Sequence, residues 1–530
     1  METTTLNPRI SNYFLAPQAL CSPKLIKHLN SASNYLLVSI SSEITHEFKK
    51  QKLKTAGSTQ PSTSKKNQAR PQSKPGQKSP LAPDKNNTIN SETVWQQCLD
   101  QIDNPLIILS LDNSHQKIDF DKLNSLQIGG LITEDFPLNS SLINLLNRQH
   151  HLWYLSFSRN KNGPEFINQI TNLRKLKYLR LAQIKFKTNL AALLKKAPGL
   201  VSLQLPNTGI NDKVIKTVVA MKNLRRLNLK YTDISDKSLE TIGNLHRLEV
   251  LNLSYLSQIS NRGMENLAGL KNLKQLILEN TPINEKGLYE IRNLPRLENI
   301  NLSYSNLSIR AFDYLLEYPR LSVLVLDNNS LDLEKLKLIS RLTKLEHLSL
   351  EAVDFKVQWL PWLFNLNKLR RLNLGNNFHS AVQLNSRFTT ESLRVLNLNH
   401  NKITGSLLDL FSSAQKILSL NLQAASLTIK ACKTINKFKF LKQLDLSSTS
   451  INDTCLLQLK SLPLLNQLDL SANPVNLEKL NFEKVFPNLK ELHINNALVK
   501  CPQINKIEKA MPELVIIGTA CKIKVEISDK

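Results

Sequence analysis

The amino-acid sequence predicts an α/β solenoid, in which short strands stack into one parallel sheet and short helices cover the back of that sheet. Two observations carry this prediction. The pattern Leu-x-x-Leu-x-Leu returns fifteen times between Leu152 and Val499 with a period of 24 residues, and the only slip is one extra residue in the unit that begins at Leu248. Within each unit, the apolar spacing changes from that of a strand to that of a helix. A fixed period of this length indicates a repeat architecture, so we expect one elongated array rather than several globular domains.

Each unit opens with a strand. Successive side chains of a strand point to opposite faces, so leucines such as Leu224, Leu227 and Leu229 are expected to point inward and the residues between them outward. The residue eight positions after the first leucine is Asn or Thr in most units, as at Asn377 and Thr281. A short polar side chain there can satisfy backbone groups where the chain turns away from the strand.

A short helix closes each unit. The residue eleven positions after the first leucine is mostly Ser, Thr, Asn or Asp, as at Ser235, and these residue types favour the N-cap of a helix. Apolar residues then follow at helical spacing, as in Leu239, Ile242 and Leu245. Neighbouring units stacked about 4.8 Å apart form an arc, with the parallel sheet on the concave face and the short helices on the convex face.

The segment before the array divides into two parts. Residues 1–49 contain two amphipathic stretches, from Pro17 to Leu29 and from Asn34 to Phe48, so we predict a short helical segment. Residues 50–92 are rich in Lys, Ser, Thr, Gln and Pro. Because such a composition cannot bury enough apolar area to offset the entropy of ordering it, we predict a disordered basic linker.

The array has irregular ends. Residues 93–151 carry degenerate copies of the repeat and are predicted to form an N-terminal cap, since a terminal repeat must expose one side. Residues 152–500 hold the fifteen regular repeats. Residues 501–530 are predicted to form a C-terminal cap, with a helix from Gln503 to Met511 and a strand from Leu514 to Ile517.

Composition narrows the setting in which the chain works. The net charge of +26 favours acidic partners or surfaces in a general way. No apolar run approaches the length that spans a bilayer, and no signal-peptide pattern follows Met1, so we expect a soluble chain without a transmembrane segment. The six cysteines form no Cys-x-x-Cys pair, and Cys432 replaces a core leucine. We therefore predict reduced thiols, with Cys432 packed in the core, in a cytoplasmic protein.

The pattern Leu-x-x-Leu-x-Leu-x-x-Asn/Thr-x-Ile/Leu resembles the leucine-rich repeat family over roughly Leu106 to Ile517. This resemblance implies a horseshoe with a parallel concave sheet and short convex helices. The 24-residue unit, the capped helix and the lysine- and asparagine-rich composition are also similar to bacterial leucine-rich-repeat proteins, including effectors that intracellular pathogens deliver into host cells. That similarity implies the host-cell cytoplasm as the location if the protein is a secreted effector.

The sequence carries no motif for catalysis. Enzymes of the leucine-rich repeat family have a separate catalytic domain beside the array, and few residues follow Ile517. The motifs Gly-x-x-x-x-Gly-Lys, Gly-x-Ser-x-Gly and His-Glu-x-x-His are absent, as is any specific nucleic-acid motif. We therefore predict a non-enzymatic protein–protein interaction module that needs no cofactor or metal and binds a protein partner on its concave face.

The concave face is the predicted binding surface, because its strands present a broad and rigid set of outward side chains. Tyr and Arg are among the residue types that most often anchor protein interfaces. The predicted partner-binding residues are Tyr154, Tyr178, Arg180, Arg226, Asn228, Lys230, Tyr231, Asn252, Tyr255, Asn301 and Tyr304. The alternative is that these side chains are the ordinary polar surface that any outward-facing strand must carry.

The sequence is compatible with two other functions. The apolar residues of segment 1–49 are loosely similar to the skeleton of an F-box, the short helical motif that ubiquitination adaptors combine with leucine-rich repeats. The chain could then be an F-box-like substrate adaptor. The basic linker at 50–92 could instead bind a polyanion or an acidic membrane surface, in which case the affinity would fall steeply as salt rises.

Overall fold

The computed structural model describes most of the repeat array and little of what precedes it. The described residues are 36–39, 107–111, 120–123, 128–186, 190–379, 391–412, 414, 416–460, 462–497 and 499–518. The chain divides into two compact units, residues 1–209 and residues 210–530. The predicted linker at 50–92 lies outside the described residues, as does the helical stretch predicted from Pro17 to Leu29.

The first unit contains a parallel sheet with helices between its strands. The strands are Leu36–Ser39 (β1), Ile107–Leu111 (β2), Ile128–Glu134 (β3), Tyr154–Ser158 (β4), Tyr178–Ala182 (β5) and Ser202–Gln204 (β6). Each of these strands pairs in parallel with the next one along the chain. The helices are Ser140–Arg148 (α1), Gly163–Asn168 (α2) and Leu190–Lys196 (α3), and a 3-10 turn spans Phe120–Leu123.

Strand β1 differs from the prediction. We predict a helix from Asn34 to Phe48, but the described residues Leu36–Ser39 of that stretch form a strand paired with β2. An extended segment beside an open strand edge can bond the unpaired N–H and C=O groups of that edge, and this gain outweighs a weak local helical preference. The remainder of residues 1–49, with most of the F-box-like pattern, lies outside the described residues.

The second unit continues the alternation of strand and helix. The strands of its main sheet are Arg226–Asn228 (β7), Val250–Asn252 (β8), Gln275–Ile277 (β9), Asn299–Asn301 (β10), Val323–Val325 (β11), His347–Ser349 (β12), Arg371–Asn373 (β13), Val395–Asn397 (β14), Ser419–Asn421 (β16), Gln443–Asp445 (β18), Gln467–Asp469 (β19), Glu491–His493 (β20) and Val515–Ile517 (β21). Successive strands of this sheet pair in parallel. Two short strands, Lys402–Ile403 (β15) and Ser426–Leu427 (β17), pair with each other.

Helices connect the strands of the second unit. They are Asp212–Val218 (α4), Asp236–Ile242 (α5), Glu285–Ile291 (α6), Ile309–Leu316 (α7), Leu333–Ile339 (α8), Gly405–Phe411 (α9), Ile429–Ile435 (α10), Asp453–Leu456 (α11), Phe482–Val485 (α12) and Cys501–Ala510 (α13). Two repeats carry 3-10 helices instead, at Gly263–Gly269 and Val357–Asn365, and a third has a 3-10 turn at Leu477–Lys479 ahead of α12. Helix α13 and strand β21 confirm the helix and strand predicted near the C-terminus.

The core sits between the sheet and the helices of each unit. The leucines predicted to point inward are buried, and Leu224, Leu227 and Leu229 each expose 1% or less of their surface. Burying one such side chain stabilises the fold by about 1.5–3 kcal/mol. Leu239 and Ile242 of α5 are buried as well. The α/β solenoid predicted from the repeat pattern is confirmed in both units.

The predicted N-cap residues start most of the helices. Ser235, Asp332 and Thr404 each accept a hydrogen bond from a backbone N–H in the first turn of the helix that follows. Ser308 is an exception, because it precedes α7 without a side-chain hydrogen bond to the helix. The capping residues satisfy backbone donors that a helix terminus would otherwise leave unpaired.

Asn377 shows what the polar residue after the strand does. Its buried Oδ1 accepts hydrogen bonds from the N–H groups of Val353 at 3.1 Å and Phe355 at 2.9 Å. Its Nδ2 donates to the carbonyls of Leu350 at 2.8 Å and Gly375 at 2.9 Å. One side chain therefore satisfies four backbone groups in its own repeat and the preceding one, which confirms the predicted role of this position.

A disulfide joins two neighbouring repeats of the second unit. Cys432 in α10 and Cys455 in α11 are bonded to each other, their Cα atoms are 5.5 Å apart, and both residues are buried. Cys501 is disulfide-bonded as well. The prediction of a reduced Cys432 is therefore wrong. Residues 23 positions apart in a 24-residue repeat lie side by side on adjacent helices, within the Cα separation that a disulfide needs.

Candidate functional site

The predicted site residues fall in both units. The first unit holds Tyr154, Tyr178 and Arg180, and the second holds Arg226, Asn228, Lys230, Tyr231, Asn252, Tyr255, Asn301 and Tyr304. The residues of the second unit lie on β7, β8 and β10 or in the loops that follow these strands. We define the tyrosine patch as Lys230, Tyr231, Tyr255, Glu279 and Tyr304.

The tyrosines of the patch have a left-handed backbone. Tyr231, Tyr255 and Tyr304 have φ angles of 55°, 58° and 56°. Their N–H groups donate to carbonyls of the next repeat, so the neighbouring chain holds this conformation in place. Asn280 and Asn328 occupy the equivalent positions of nearby repeats, with φ angles of 51° and 58°. Asn tolerates this conformation better than a bulky residue does. Tyrosine is therefore not the residue that the backbone favours here.

Two of these tyrosines stack on each other. The ring centroids of Tyr231 and Tyr255 are 4.2 Å apart, and the ring planes differ by 20°. The Lys230 Nζ lies 4.9 Å from the centre of the Tyr255 ring and 5.8 Å from that of Tyr231. At these distances a cation is attracted to the ring faces. The stack presents a rigid aromatic surface with a cation beside it.

Glu279 ties the stack to the next repeat. The Tyr255 hydroxyl donates to Glu279 Oε1 at 2.8 Å, and Lys230 Nζ lies 3.8 Å from Glu279 Oε2. The hydrogen bond to Glu279 raises the pKa of Tyr255, with burial and the Glu279 charge acting in the same direction. The phenol therefore stays protonated at neutral pH and keeps donating this bond. Tyr255 is half-buried by these contacts, whereas Tyr231 and Tyr304 expose 50% and 51% of their surface.

The three predicted asparagines support the loops that carry the tyrosines. The Oδ1 atoms of Asn228, Asn252 and Asn301 accept hydrogen bonds from N–H groups two residues further on, at 3.0, 2.9 and 2.8 Å. These oxygen atoms are thus already bonded inside the chain. The asparagines therefore help to position the loops that carry the tyrosines. Arg226 lies exposed on β7, two residues before Asn228.

The first unit has an aromatic cluster of its own. Tyr154 and Tyr178 are paired in register on β4 and β5, with ring centroids 6.0 Å apart. Trp153, which the sequence analysis missed, lies with its ring centroid 5.6 Å from that of each tyrosine. Burial raises the pKa of Tyr154. Arg180 donates to Gln204 Oε1 at 3.3 Å. The three rings pack mainly against each other, so this cluster exposes less than the tyrosine patch does.

The described part of the chain shows neither a metal-binding cluster nor a membrane-spanning helix. Among those residues, no three His, Cys, Asp or Glu side chains lie where they could hold a metal ion together. None of the helices described above is both long enough and apolar enough to cross a membrane.

The fold is a solenoid in which strands of a parallel sheet alternate with short helices. Residues 136–391 match the family model of a leucine-rich repeat region. The chain therefore carries a leucine-rich repeat region, as the sequence pattern predicts. Proteins with this fold are commonly protein–protein interaction modules and typically non-enzymatic scaffolds.

Solved structures with some likeness to the chain come from bacteria and from mouse. A leucine-rich-repeat protein of Leptospira interrogans is 23% identical over 77% of this chain and 94% of its own, with a TM-score of 0.38. An internalin of Listeria monocytogenes is 20% identical over 66% and 88%, with a TM-score of 0.38. The mouse RP105/MD-1 complex is 17% identical over 78% of this chain and 75% of its own, with a TM-score of 0.39. At these TM-scores the likenesses do not bear on function. Curated proteins give no match.

Proposed function

We propose that the chain is a non-enzymatic scaffold that binds a protein partner through the tyrosine patch. One observation carries the proposal: three tyrosines occupy left-handed positions that an asparagine fills in nearby repeats, as at Asn280. A bulky residue costs about 1–2 kcal/mol in this conformation. Because folding alone favours a different residue type, these tyrosines are best explained by a contact outside the chain.

The chemistry of the patch suits a protein surface. Tyr231 and Tyr304 are each about half exposed, and a tyrosine offers a large apolar ring together with a hydroxyl that can donate or accept. Tyr255, Lys230 and Glu279 are held in place by their mutual contacts. Side chains that are fixed before binding lose little entropy when a partner docks. We expect the partner to insert an apolar side chain against the exposed rings.

Replacing Tyr231, Tyr255 and Tyr304 together by asparagine is expected to abolish partner binding and leave the fold intact. Each lost aromatic anchor costs about 2 kcal/mol of binding free energy, whereas asparagine relieves the backbone cost. The melting temperature should therefore change little, because the relieved backbone cost offsets the lost ring stacking and the lost hydrogen bond from Tyr255 to Glu279. Quantitative affinity capture from cell lysate with the full chain measures the first effect, and calorimetry measures the second.

A matched control uses tyrosines on the helices of the same unit. Tyr289 in α6 and Tyr314 in α7 also contact each other, with ring centroids 5.5 Å apart. The variant with Tyr289→Gln and Tyr314→Gln should keep every captured partner. Partners that stay bound to the asparagine variant would show that the patch is ordinary polar surface. A steep fall in its melting temperature would show that the tyrosines serve the fold. Either result contradicts the proposal.

The disulfide bears on where the chain works. The predicted cytoplasmic location rested on reduced cysteines, and Cys432 and Cys455 are bonded to each other. Such bonds are typical of oxidising compartments, so we favour an extracytoplasmic setting for the folded chain. Three other roles stay predictions. They are a bacterial effector in the host-cell cytoplasm, an F-box-like adaptor role for residues 1–49 and acidic-surface binding by residues 50–92.

A further inference from the structure

A polar cleft lies at the other end of the strands from the tyrosine patch. It has a volume of about 400 Å³ and is lined by Arg225, Arg247, Glu249, Asn272, Lys274 and Arg296. Arg225, Glu249 and Lys274 directly precede β7, β8 and β9, whereas the patch tyrosines follow the ends of their strands. The lining contains four cationic side chains and one carboxylate, and it contains no apolar side chain.

Glu249 fixes two of the four cations. Its Oε1 forms an ion pair with Arg225, and its Oε2 accepts a hydrogen bond from Lys274 Nζ at 2.9 Å. Lys274 holds the pKa of Glu249 below its ordinary value, and Arg225 acts in the same direction. Glu249 is therefore ionised at neutral pH and cancels one positive charge, while it orients both cations at the wall of the cleft.

The other two cations keep their charge uncompensated. Arg247 Nη1 donates to Asn223 Oδ1 at 2.7 Å, and Arg296 Nη1 donates to Asn272 Oδ1 at 2.6 Å. Both acceptors are neutral amides, and neither arginine forms an ion pair within the described part of the chain. The amides orient the guanidinium groups, which are exposed and keep further N–H groups for a ligand.

We propose that this cleft binds a compact ligand with clustered phosphate groups. Four cations and one carboxylate leave about three positive charges in a space the size of a small-molecule site. A phosphate monoester carries nearly two negative charges, and its oxygen atoms match the planar fork of arginine. Because the lining has no apolar side chain, an apolar ligand would have no apolar surface to pack against. This site is separate from the tyrosine patch and would act independently of it.

Tripolyphosphate is the probe for this proposal. Titration calorimetry of the full chain should detect its binding, and the variant with Arg247→Gln and Arg296→Gln should bind about tenfold more weakly, because each arginine contributes charge-assisted hydrogen bonds. The control variant carries Arg320→Gln and Lys344→Gln, which remove the same charge from the same edge of the sheet without touching the cleft lining. Its affinity should stay within about twofold of the wild type.

The comparison of these variants decides between a site and a diffuse charge effect. If the wild type does not bind tripolyphosphate, or if both double variants weaken binding equally, the proposal is overturned. Circular dichroism of both variants checks that each one folds. Vesicles that contain phosphatidylinositol bisphosphate form a second arm. If the cleft binds these vesicles more tightly than it binds the free anion, the ligand is a lipid headgroup. If the cleft binds the free anion more tightly, the ligand is a free phosphate compound.

Discussion

Replacing Asn377 by alanine is expected to lower the free energy of unfolding by about 3–5 kcal/mol. The buried side chain serves four backbone groups, namely the N–H groups of Val353 and Phe355 and the carbonyls of Leu350 and Gly375. With alanine, the two N–H groups and the Leu350 carbonyl lose this partner, whereas the Gly375 carbonyl keeps its bond from the Ala352 N–H. A buried group without a partner costs about 1–3 kcal/mol. Urea unfolding followed by circular dichroism measures the loss.

Thr281 provides the control at the equivalent position of another repeat. Its hydroxyl makes one hydrogen bond, to the Leu278 carbonyl at 2.7 Å. Thr281→Val should therefore cost about 1 kcal/mol, well below the cost at Asn377. An equal loss for both variants would mean that the extra hydrogen bonds of Asn377 contribute nothing to stability.

Breaking the bond between Cys432 and Cys455 is expected to cost about 3 kcal/mol of unfolding free energy. The bond closes a loop between residues 23 positions apart, which restricts the unfolded chain. Because replacing either cysteine removes the bond, the unfolding free energy should fall by nearly the same amount in Cys432→Ala, in Cys455→Ala and in the double variant. Urea unfolding with and without a thiol reductant measures this, and the double variant should be less sensitive to the reductant than the wild type.

The pattern of losses separates the bond from simple packing. A bond is lost in full with either cysteine, whereas two packed neighbours are coupled only in part, so without a bond the double variant should lose more than either single variant. Intact mass gives an independent check, because reduction of each disulfide adds two hydrogen atoms, so reduction should add two more hydrogen atoms to the wild type than to the double variant. A double variant that loses more than either single variant, together with an equal mass gain in both proteins, would rule the bond out.

The fold could be predicted from sequence because every repeat states the same pattern again. Leu227 and Leu239 belong to columns of apolar residues that recur along the array, and each column becomes one line of buried side chains. The N-cap at Ser235 follows from the same alignment of repeats. Errors arose where one repeat departs from the others. Pro361 lies in a 3-10 helix, and in an α-helix interior the proline ring would clash with the carbonyl four residues earlier.

The site was harder to predict because its geometry connects neighbouring repeats. The stacking of Tyr231 on Tyr255 could be expected once both were placed in the same column, but the hydrogen bond to Glu279 could not, because side-chain torsions decide it. The pairing of Cys432 with Cys455 was within reach, since their spacing is one residue short of the period. The polar cleft was not predicted, because the sequence prediction rests on the outward strand positions and the cleft is lined by residues just before each strand, such as Arg225.

The left-handed residue after each strand has a consequence for how this chain can change by mutation. Its conformation is held by backbone hydrogen bonds to the next repeat, whichever side chain it carries, and Ala352, His400 and Ser448 all adopt it. His400, like Tyr231, is exposed, so a substitution there alters the surface without disturbing the leucine core. Mutation can therefore change the binding surface one repeat at a time, because the fold depends on other residues, namely the leucines of the core.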